Sequence, residues 1–136
     1  MRSPEDAAVA RLATVDREGR PHVVPICFVI DGGTLYTAVD EKPKRTRRLK
    51  RLENIEANPQ VEVLIDHYED DWTQLWWVRL RGAARVVDDP RALELLAVKY
   101  PQYRAEPPAG PAIAVVIEER TEWYGRGSGT EEVRGR

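Results

Sequence analysis

Three strand-like segments precede any helix signal in this chain, and that order restricts the fold more than any other feature. The segments are residues 11–15, 22–30 and 34–39. Asp16 and Gly19 supply turn residues in the first connection, and an Asp-Gly-Gly turn at residues 31–33 supplies the second. A doubly wound parallel sheet needs strands and helices in alternation. The order therefore predicts an antiparallel meander at the start of the chain.

The rest of the sequence predicts two helices and three further strands. Because Pro43 disfavours helix before it, the first helix is predicted to begin at about Pro43 or Lys44, and it ends at Asn58. Strands follow at residues 60–66 and 74–87, the second with a bulge or close backbone approach at Gly82. A second helix begins at Asp89, and a sixth strand, with room for a seventh, lies in residues 110–125. The pattern predicts a mostly β (α+β) fold, a small six-stranded antiparallel barrel with short flanking helices.

Length and composition predict one soluble domain. The 136 residues suit a single domain at residues 1–124, followed by a flexible polar tail at residues 125–136. No apolar run approaches the roughly 20 residues that cross a bilayer, and the N-terminus lacks the apolar core of a signal peptide. The single cysteine, Cys27, excludes an internal disulfide and fits a reducing compartment. We therefore expect a cytoplasmic protein without a membrane partner.

A cationic segment, residues 42–51, stands out in a chain whose formal net charge is -2. Seven of its ten residues are Lys or Arg. Cations in the first turn of a helix oppose the helix dipole unless an anion lies there, which favours a phosphate site at Lys42 and Lys44. The alternative is a solvated face, and we favour it for Arg47, Lys50 and Arg51. A nucleic-acid surface is disfavoured because the aromatic residues lie in an acidic neighbourhood at residues 66–77.

Other candidate chemistries find little support. Asp66, Glu69, Asp70 and Asp71 with His67 match neither the spacing of a calcium loop nor that of a zinc site, so we predict a solvated loop and no metal. Cys27 lies in an apolar strand and is expected to pack rather than to react. No nucleophile elbow is present. The sequence therefore predicts no catalytic side chain of its own.

The order of these segments resembles the flavin-binding split-barrel proteins related to pyridoxamine 5′-phosphate oxidase. The resemblance covers about residues 10–87 and rests on "ARLATVDREGRPHVVPICFVIDGGTLYTAVD", "KPKRTRRLKRLENIEANPQVEVLID" and "WWVRLRGAARVV". The run "DHYEDDWTQLWWVRLRG" is similar to an actinobacterial branch that uses the deazaflavin coenzyme F420. The resemblance implies a Greek-key split barrel and a homodimer with the cofactor in a groove between the subunits.

The resemblance also implies which residues hold the cofactor. The pair Tyr36-Thr37 would lie beside the ring or its ribityl chain, and residues around Ile65 would close over the ring. The strand-two residues implied to line the ring are Val24, Pro25 and Ile26. The residues implied to hold the phosphate are Lys42 and Lys44, with Arg48 as a further candidate. The strand-two arginine of the true oxidases is missing near Val24, and their substrate residues have no counterpart near the C-terminus, so vitamin B6 oxidation is not implied.

The expected function is a reductase in which reduced deazaflavin passes a hydride to a small unsaturated or quinone-like molecule. Four tryptophans are many for a small domain to bury, so some are expected to face a ligand or a second subunit. Tyr68, Trp76 and Trp77 are the substrate-side candidates, and the proton comes from solvent or from Tyr68. Two alternatives stay open: an FMN-dependent oxidoreductase, and a carrier or sensor that binds flavin or deazaflavin without turnover.

Overall fold

The computed structural model describes residues 3–39 and 49–125, and the backbone of residues 130–133. The strands there are β1 (Ala10–Val15), β2 (Pro21–Ile26), β3 (Val29–Asp31), β4 (Thr34–Ala38), β5 (Gln60–His67), β6 (Trp76–Val87), β7 (Ala112–Tyr124) and β8 (Thr130–Val133). The helices are α1 (Lys50–Ala57), α2 (Pro90–Lys99) and α3 (Pro101–Ala105). Short 3-10 turns cover Pro4–Asp6 and Trp72–Gln74. No helix within the described residues is long and apolar enough to cross a bilayer.

All eight strands belong to one antiparallel sheet, as the sequence predicted for the fold class. Its order is β2-β1-β5-β6-β7-β4-β3, with β8 paired to β7 outside that path. The two ends of the path, β2 and β3, are consecutive in the chain and are joined by only Cys27 and Phe28. The sheet must therefore curl until its ends meet, which gives a half-open barrel. Its core holds the largest fully buried side chains, among them Leu12, Phe28, Leu35, Ile65 and Leu80.

The predicted strand count of six is too low. The predicted second strand, residues 22–30, is divided at Cys27 and Phe28 into β2, which pairs with β1, and β3, which pairs with β4. Neither Cys27 nor Phe28 is a turn-forming residue, and Pro25, two residues earlier, lies within β2. Part of the predicted flexible tail is also a strand, because the backbone of β8 pairs with β7. The predicted fifth strand begins two residues later than expected, after the turn at Trp72–Gln74.

The first helix begins later than predicted. Leu49 has an extended backbone, with φ of -69° and ψ of 143°, so α1 begins at Lys50 rather than near Pro43. The side chain of Leu49 packs against the barrel core, together with Leu52 and Ile55 of α1. Core packing therefore fixes where α1 begins. The second helix agrees with the prediction, because the Asp89 side chain accepts a hydrogen bond from the backbone N–H of Arg91 at 3.0 Å.

Gly82 lies at a bulge in β6, which confirms the sequence prediction. The register between β6 and β7 shifts between Arg81 and Gly82. A Cβ atom placed on Gly82 would lie 2.2 Å from the carbonyl oxygen of Val116 and 3.0 Å from Cγ1 of Val115. The close approach of β7 therefore requires glycine at this position.

Candidate functional site

The predicted ring-lining residues of β2 lie on two faces of the sheet. Ile26 is buried in the barrel core and Val24 packs partly against it, whereas Pro25 is exposed on the outer face. This alternation follows from the period of two along a strand. His22 shares the inner face with Val24 and Ile26 and is half-buried. Because β2 pairs with β1 alone on the sheet path, its inner face lies at the open side of the barrel.

The pair Tyr36-Thr37 is divided between the faces in the same way. Thr37 is buried on the inner face with 2% of its surface exposed, and Tyr36 is half-buried on the outer face. Tyr36 lies opposite Val29 in β3 and Ala114 in β7. Val39, just after β4, belongs to the same core cluster as Ile26 at the end of β2. The inner faces of β2 and β4 therefore both contribute to the barrel core.

The other predicted cofactor residues are placed less favourably or lie outside the description. The side chain of Ile65 is completely buried in the barrel core, and the role of the residues around it over the ring stays a prediction. Its neighbours Leu64 and Asp66 are the residues of β5 that face outward there. Lys42, Lys44 and Arg48 lie outside the described residues, and their role as phosphate ligands stays a prediction.

Two buried nitrogen atoms, one on β2 and one on α1, have no hydrogen-bond partner among the described residues. They are Nδ1 of His22 and Nε of Arg51. His22 lies directly opposite Thr14 in the β1–β2 ladder. The Thr14 hydroxyl accepts a hydrogen bond of 3.0 Å from Nδ2 of Asn54, and Asn54 follows Arg51 by one turn of α1. The Thr14–Asn54 hydrogen bond therefore joins α1, which carries Arg51, to β1, the strand that pairs with the strand of His22.

A buried polar atom without a partner is unfavourable, by about 1–3 kcal/mol. Two such atoms, one in the guanidinium of Arg51 and one in the imidazole of His22, suit an anion that would accept hydrogen bonds from both. Sequence reasoning missed this pair, because Arg51 was assigned to solvent and His22 had no partner in the sequence. The sequence did hold two indications. His22 is an even number of residues from Ile26 and so lies on the same face of β2, and Arg51 adjoins Leu52, which belongs to the apolar stripe of α1.

Lys99 and Tyr100, at the end of α2, fix the bend that follows β2. Nζ of Lys99 donates to the carbonyl oxygens of Phe28 and Glu5, both at 2.8 Å, and lies 3.7 Å from the centroid of the Phe28 ring. The Tyr100 hydroxyl accepts from the N–H of Phe28 at 3.0 Å and donates to the carbonyl of Ala8 at 2.8 Å. These contacts satisfy backbone groups that the sheet leaves unpaired at the bend. They therefore position the end of β2.

The same burial changes how these two groups titrate. Burial lowers the pKa of Lys99 from 10.5 to about 8, although the carboxylates of Asp6 and Glu5 oppose the shift. Burial also raises the pKa of Tyr100 to about 12. The lowered pKa of Lys99 means that the folded state loses a proton at lower pH than the unfolded state. Its charged form therefore destabilises the fold below about pH 8, and this cost is relieved between about pH 8 and 10.5.

We expect the stability of the native protein, relative to Lys99→Met, to increase as the pH rises from about 7.5 to 9.5. Urea unfolding at several pH values measures the difference, and Lys50→Met, which alters an exposed lysine, should give no such trend. Staying below pH 10 avoids the opposite effect of Tyr100, whose stabilising contribution is lost above its unfolded pKa of 10.0. A pH-independent difference for Lys99→Met would show that its ammonium group is not desolvated in the fold.

Two neighbouring cavities lie near the end of β5 at His67. That end is about 17 Å along the strand from Glu62, which pairs with Ala13, the neighbour of Thr14 in β1. Their volumes are about 580 and 330 Å³. Both are lined by Asp66, His67 and Trp76. The smaller cavity brings together the three substrate-side candidates of the sequence, because Tyr68 and Trp77 line it with Trp76. The described residues contain no group of three or more His, Cys, Asp or Glu arranged to hold a metal ion.

Comparison with protein families identifies one matching model. The model described as "Pyridoxamine 5'-phosphate oxidase" matches residues 3–124, which is most of the chain. It extends the resemblance seen in the sequence through β7, beyond the segments on which that resemblance rested. A comparison with curated proteins finds no match.

Several solved structures share the fold. A FAD-binding protein from Mesorhizobium loti is 20% identical, with a TM-score of 0.64 over 88% of this chain and 87% of that one. General Stress Protein 26 from Bacillus anthracis is 22% identical, with a TM-score of 0.67 over 94% and 89%. A conserved hypothetical protein from Mycobacterium tuberculosis is 20% identical, with a TM-score of 0.69 over 95% and 86%. At these identities the similarity establishes the architecture alone.

Proposed function

We propose that this chain, which belongs to the pyridoxamine 5′-phosphate oxidase family, is an oxidoreductase that uses a phosphate-bearing flavin-type cofactor. The observation that carries the proposal is the pair of buried nitrogens on His22 and Arg51, which have no hydrogen-bond partner among residues 3–39 and 49–125. When bound, such a cofactor supplies the electron pair for reduction. This accounts for a site in which sequence reasoning found no catalytic side chain.

The phosphate would lie between β2 and α1. Nε of Arg51 donates to one phosphate oxygen, and Nδ1 of His22 donates to another when that nitrogen carries the proton. The hydrogen bond from Asn54 to Thr14 holds β1 and α1 together beside the proposed site. Lys42, Lys44 and Arg48 would add cations from the preceding segment.

The ring would extend along β2 away from His22. Val24 and the backbone of Pro25 and Ile26 lie on its path, and Tyr36-Thr37 approach from β4. We favour the deazaflavin coenzyme F420, because residues 42–51 hold seven cations and one phosphate needs fewer. The long acidic tail of the deazaflavin would engage the remainder. FMN is the alternative cofactor of the same site.

A second copy of the chain is the expected partner. The outer face of β2 and β5 exposes apolar side chains, with 61% of Val23 and 38% of Leu64 accessible. Pro25 lies beside them, opposite Arg11 in the ladder. An apolar outer face of this kind suits a homodimer contact, which would place the cofactor groove between subunits. Light scattering of the purified protein tests the dimer.

The reaction would reduce a small unsaturated or quinone-like molecule by hydride transfer. The substrate would occupy the cavity lined by Tyr68, Trp76 and Trp77, and its position there would account for much of the rate. A carrier or sensor that binds the same cofactor without turnover is the second candidate. That candidate predicts cofactor binding and no reduction of quinones or enones by the loaded protein.

Titration of the purified protein with FMN and with coenzyme F420, followed by ligand fluorescence, tests the proposal. We expect at least one of the two to bind with micromolar affinity. A tighter complex with the deazaflavin would support the favoured cofactor, and a tighter complex with FMN would select the alternative. If neither binds at micromolar concentration, the proposed function is wrong.

A further inference from the structure

The smaller of the two cavities has aromatic walls and one polar corner, and we call it the aromatic cleft. It has a volume of about 330 Å³ and is lined by Tyr68, Trp76, Trp77 and Trp123, with His67 at the corner shared with the larger cavity. Its size falls in the range of small-molecule sites.

The walls are held in place by the fold. Trp77 lies directly opposite Trp123 in the β6–β7 ladder. Trp76 has only 8% of its surface exposed, and Nε1 of Trp72 donates to the Tyr68 hydroxyl at 3.4 Å. Flat side chains fixed in this way favour a flat, conjugated ligand, because stacking gains attraction without ordering flexible groups.

His67 is oriented by two contacts. Its Nε2 lies 2.6 Å from Oε2 of Glu69, and its ring stacks on Trp76 with centroids 6.1 Å apart and an angle of 19° between planes. Because a carboxylate only accepts hydrogen bonds, this contact places a proton on Nε2. Nδ1 is then the nitrogen left for a ligand, and it donates when the ring is an imidazolium.

The charges around His67 disfavour an anionic ligand. Asp66 and Glu69 line the cavities with negative charge. Arg79 lines the cleft above the Trp77 ring, but its Nε pairs with Glu62 at 3.6 Å. Arg11 lines the larger cavity together with the same two carboxylates. The carboxylates therefore offset the cations that line the two cavities, and a neutral ligand fits best.

We infer that the aromatic cleft binds a neutral, planar, conjugated carbonyl compound whose carbonyl oxygen faces His67. The inference rests on the proposed function, because it names the substrate class. With a reduced flavin or deazaflavin as the hydride source, the hydride adds to the electron-poor carbon and the π electrons move to the carbonyl oxygen. That oxygen takes the proton from Nδ1 of His67, which becomes neutral and regains a proton from water.

The test uses the apoprotein and needs no turnover. The four indole N–H signals in a ¹H–¹⁵N spectrum, assigned with Trp→Phe variants, are followed during titration with 1-indanone or with indane, its matched hydrocarbon. We expect 1-indanone to shift the signals of Trp77 and Trp123. His67→Phe, which keeps a flat ring, should weaken 1-indanone about tenfold and leave indane unchanged. Trp77→Leu should weaken both ligands, and benzoate should bind more weakly than 1-indanone.

Three results would overturn the inference: neither ligand shifts Trp77 or Trp123, His67→Phe affects both ligands equally, or benzoate binds better than 1-indanone. The first would also follow if a second copy of the chain covered the cleft. Failure of the cofactor titration alone would remove the proposed function, because ligand binding in the apoprotein does not depend on cofactor.

Discussion

Arg51→Met should leave the apoprotein as stable as the native protein or stabilise it by up to about 1 kcal/mol, while weakening cofactor binding about ten- to a hundredfold. The variant removes a buried N–H that has no partner in the described part of the chain, and it keeps an unbranched side chain beside Leu52. It also removes a charge-assisted hydrogen bond to the cofactor phosphate. Urea unfolding of the apoprotein and a fluorescence titration measure the two effects.

Lys50→Met is the matched control, since Lys50 precedes Arg51 in α1 and is exposed. It removes the same formal charge, so a general loss of positive potential would weaken binding equally in both variants. We expect a much smaller effect on affinity for Lys50→Met. A destabilised Arg51→Met apoprotein with unchanged affinity would show that Arg51 supports the fold and does not hold an anion.

Gly82→Ala should lower the free energy of unfolding by about 3 kcal/mol, the upper end of the range for overpacking a close-packed site. The added methyl group would lie 2.2 Å from the carbonyl oxygen of Val116, and this obstacle is backbone. To relieve this clash, β6 and β7 must separate at the bulge, which interrupts a ladder of twelve residue pairs. Urea unfolding measures the loss.

Gly33→Ala is the control for this prediction. No atom lies within 4 Å of a Cβ at Gly33, and its backbone does not have the positive φ that Gly19 and Gly32 adopt. The loss of backbone entropy in the unfolded state is the same for both substitutions. Equal stabilities of the two variants would mean that β7 does not approach β6 as closely as the structure shows.

The strands could be predicted from the sequence wherever they depend on residues that are close together in the chain. Turn residues, β-branched and aromatic content, and the alternation of apolar and polar residues predicted β1, β4 and β5, and the bulge at Gly82 followed from a glycine inside a strand pattern. The division of β2 from β3 could not be predicted, because it depends on contacts across the fold. Tyr100 and Lys99 bond to the backbone of Phe28 from about 70 residues away.

The candidate site shows the same limit. The parity of β2 predicts which of Val24, Pro25 and Ile26 share a face, but the sequence could not show that β4 meets β2 through the core. The pair of His22 and Arg51 was missed because the nearest contact between their parts of the fold, the Thr14–Asn54 bond from β1 to α1, spans 40 residues. The start of α1 was misplaced for a related reason: Leu49 is held extended by core packing rather than by a capping side chain.

The most direct test of the phosphate site compares ligands that differ only in phosphate. FMN is measured against riboflavin, and coenzyme F420 against its phosphate-free chromophore, for the native protein and for Arg51→Met. We predict that the phosphate-bearing member of at least one pair binds the native protein more than tenfold more tightly, and that Arg51→Met removes most of this advantage. Equal binding of both members to the native protein, or an advantage that Arg51→Met leaves intact, would contradict a phosphate site between β2 and α1.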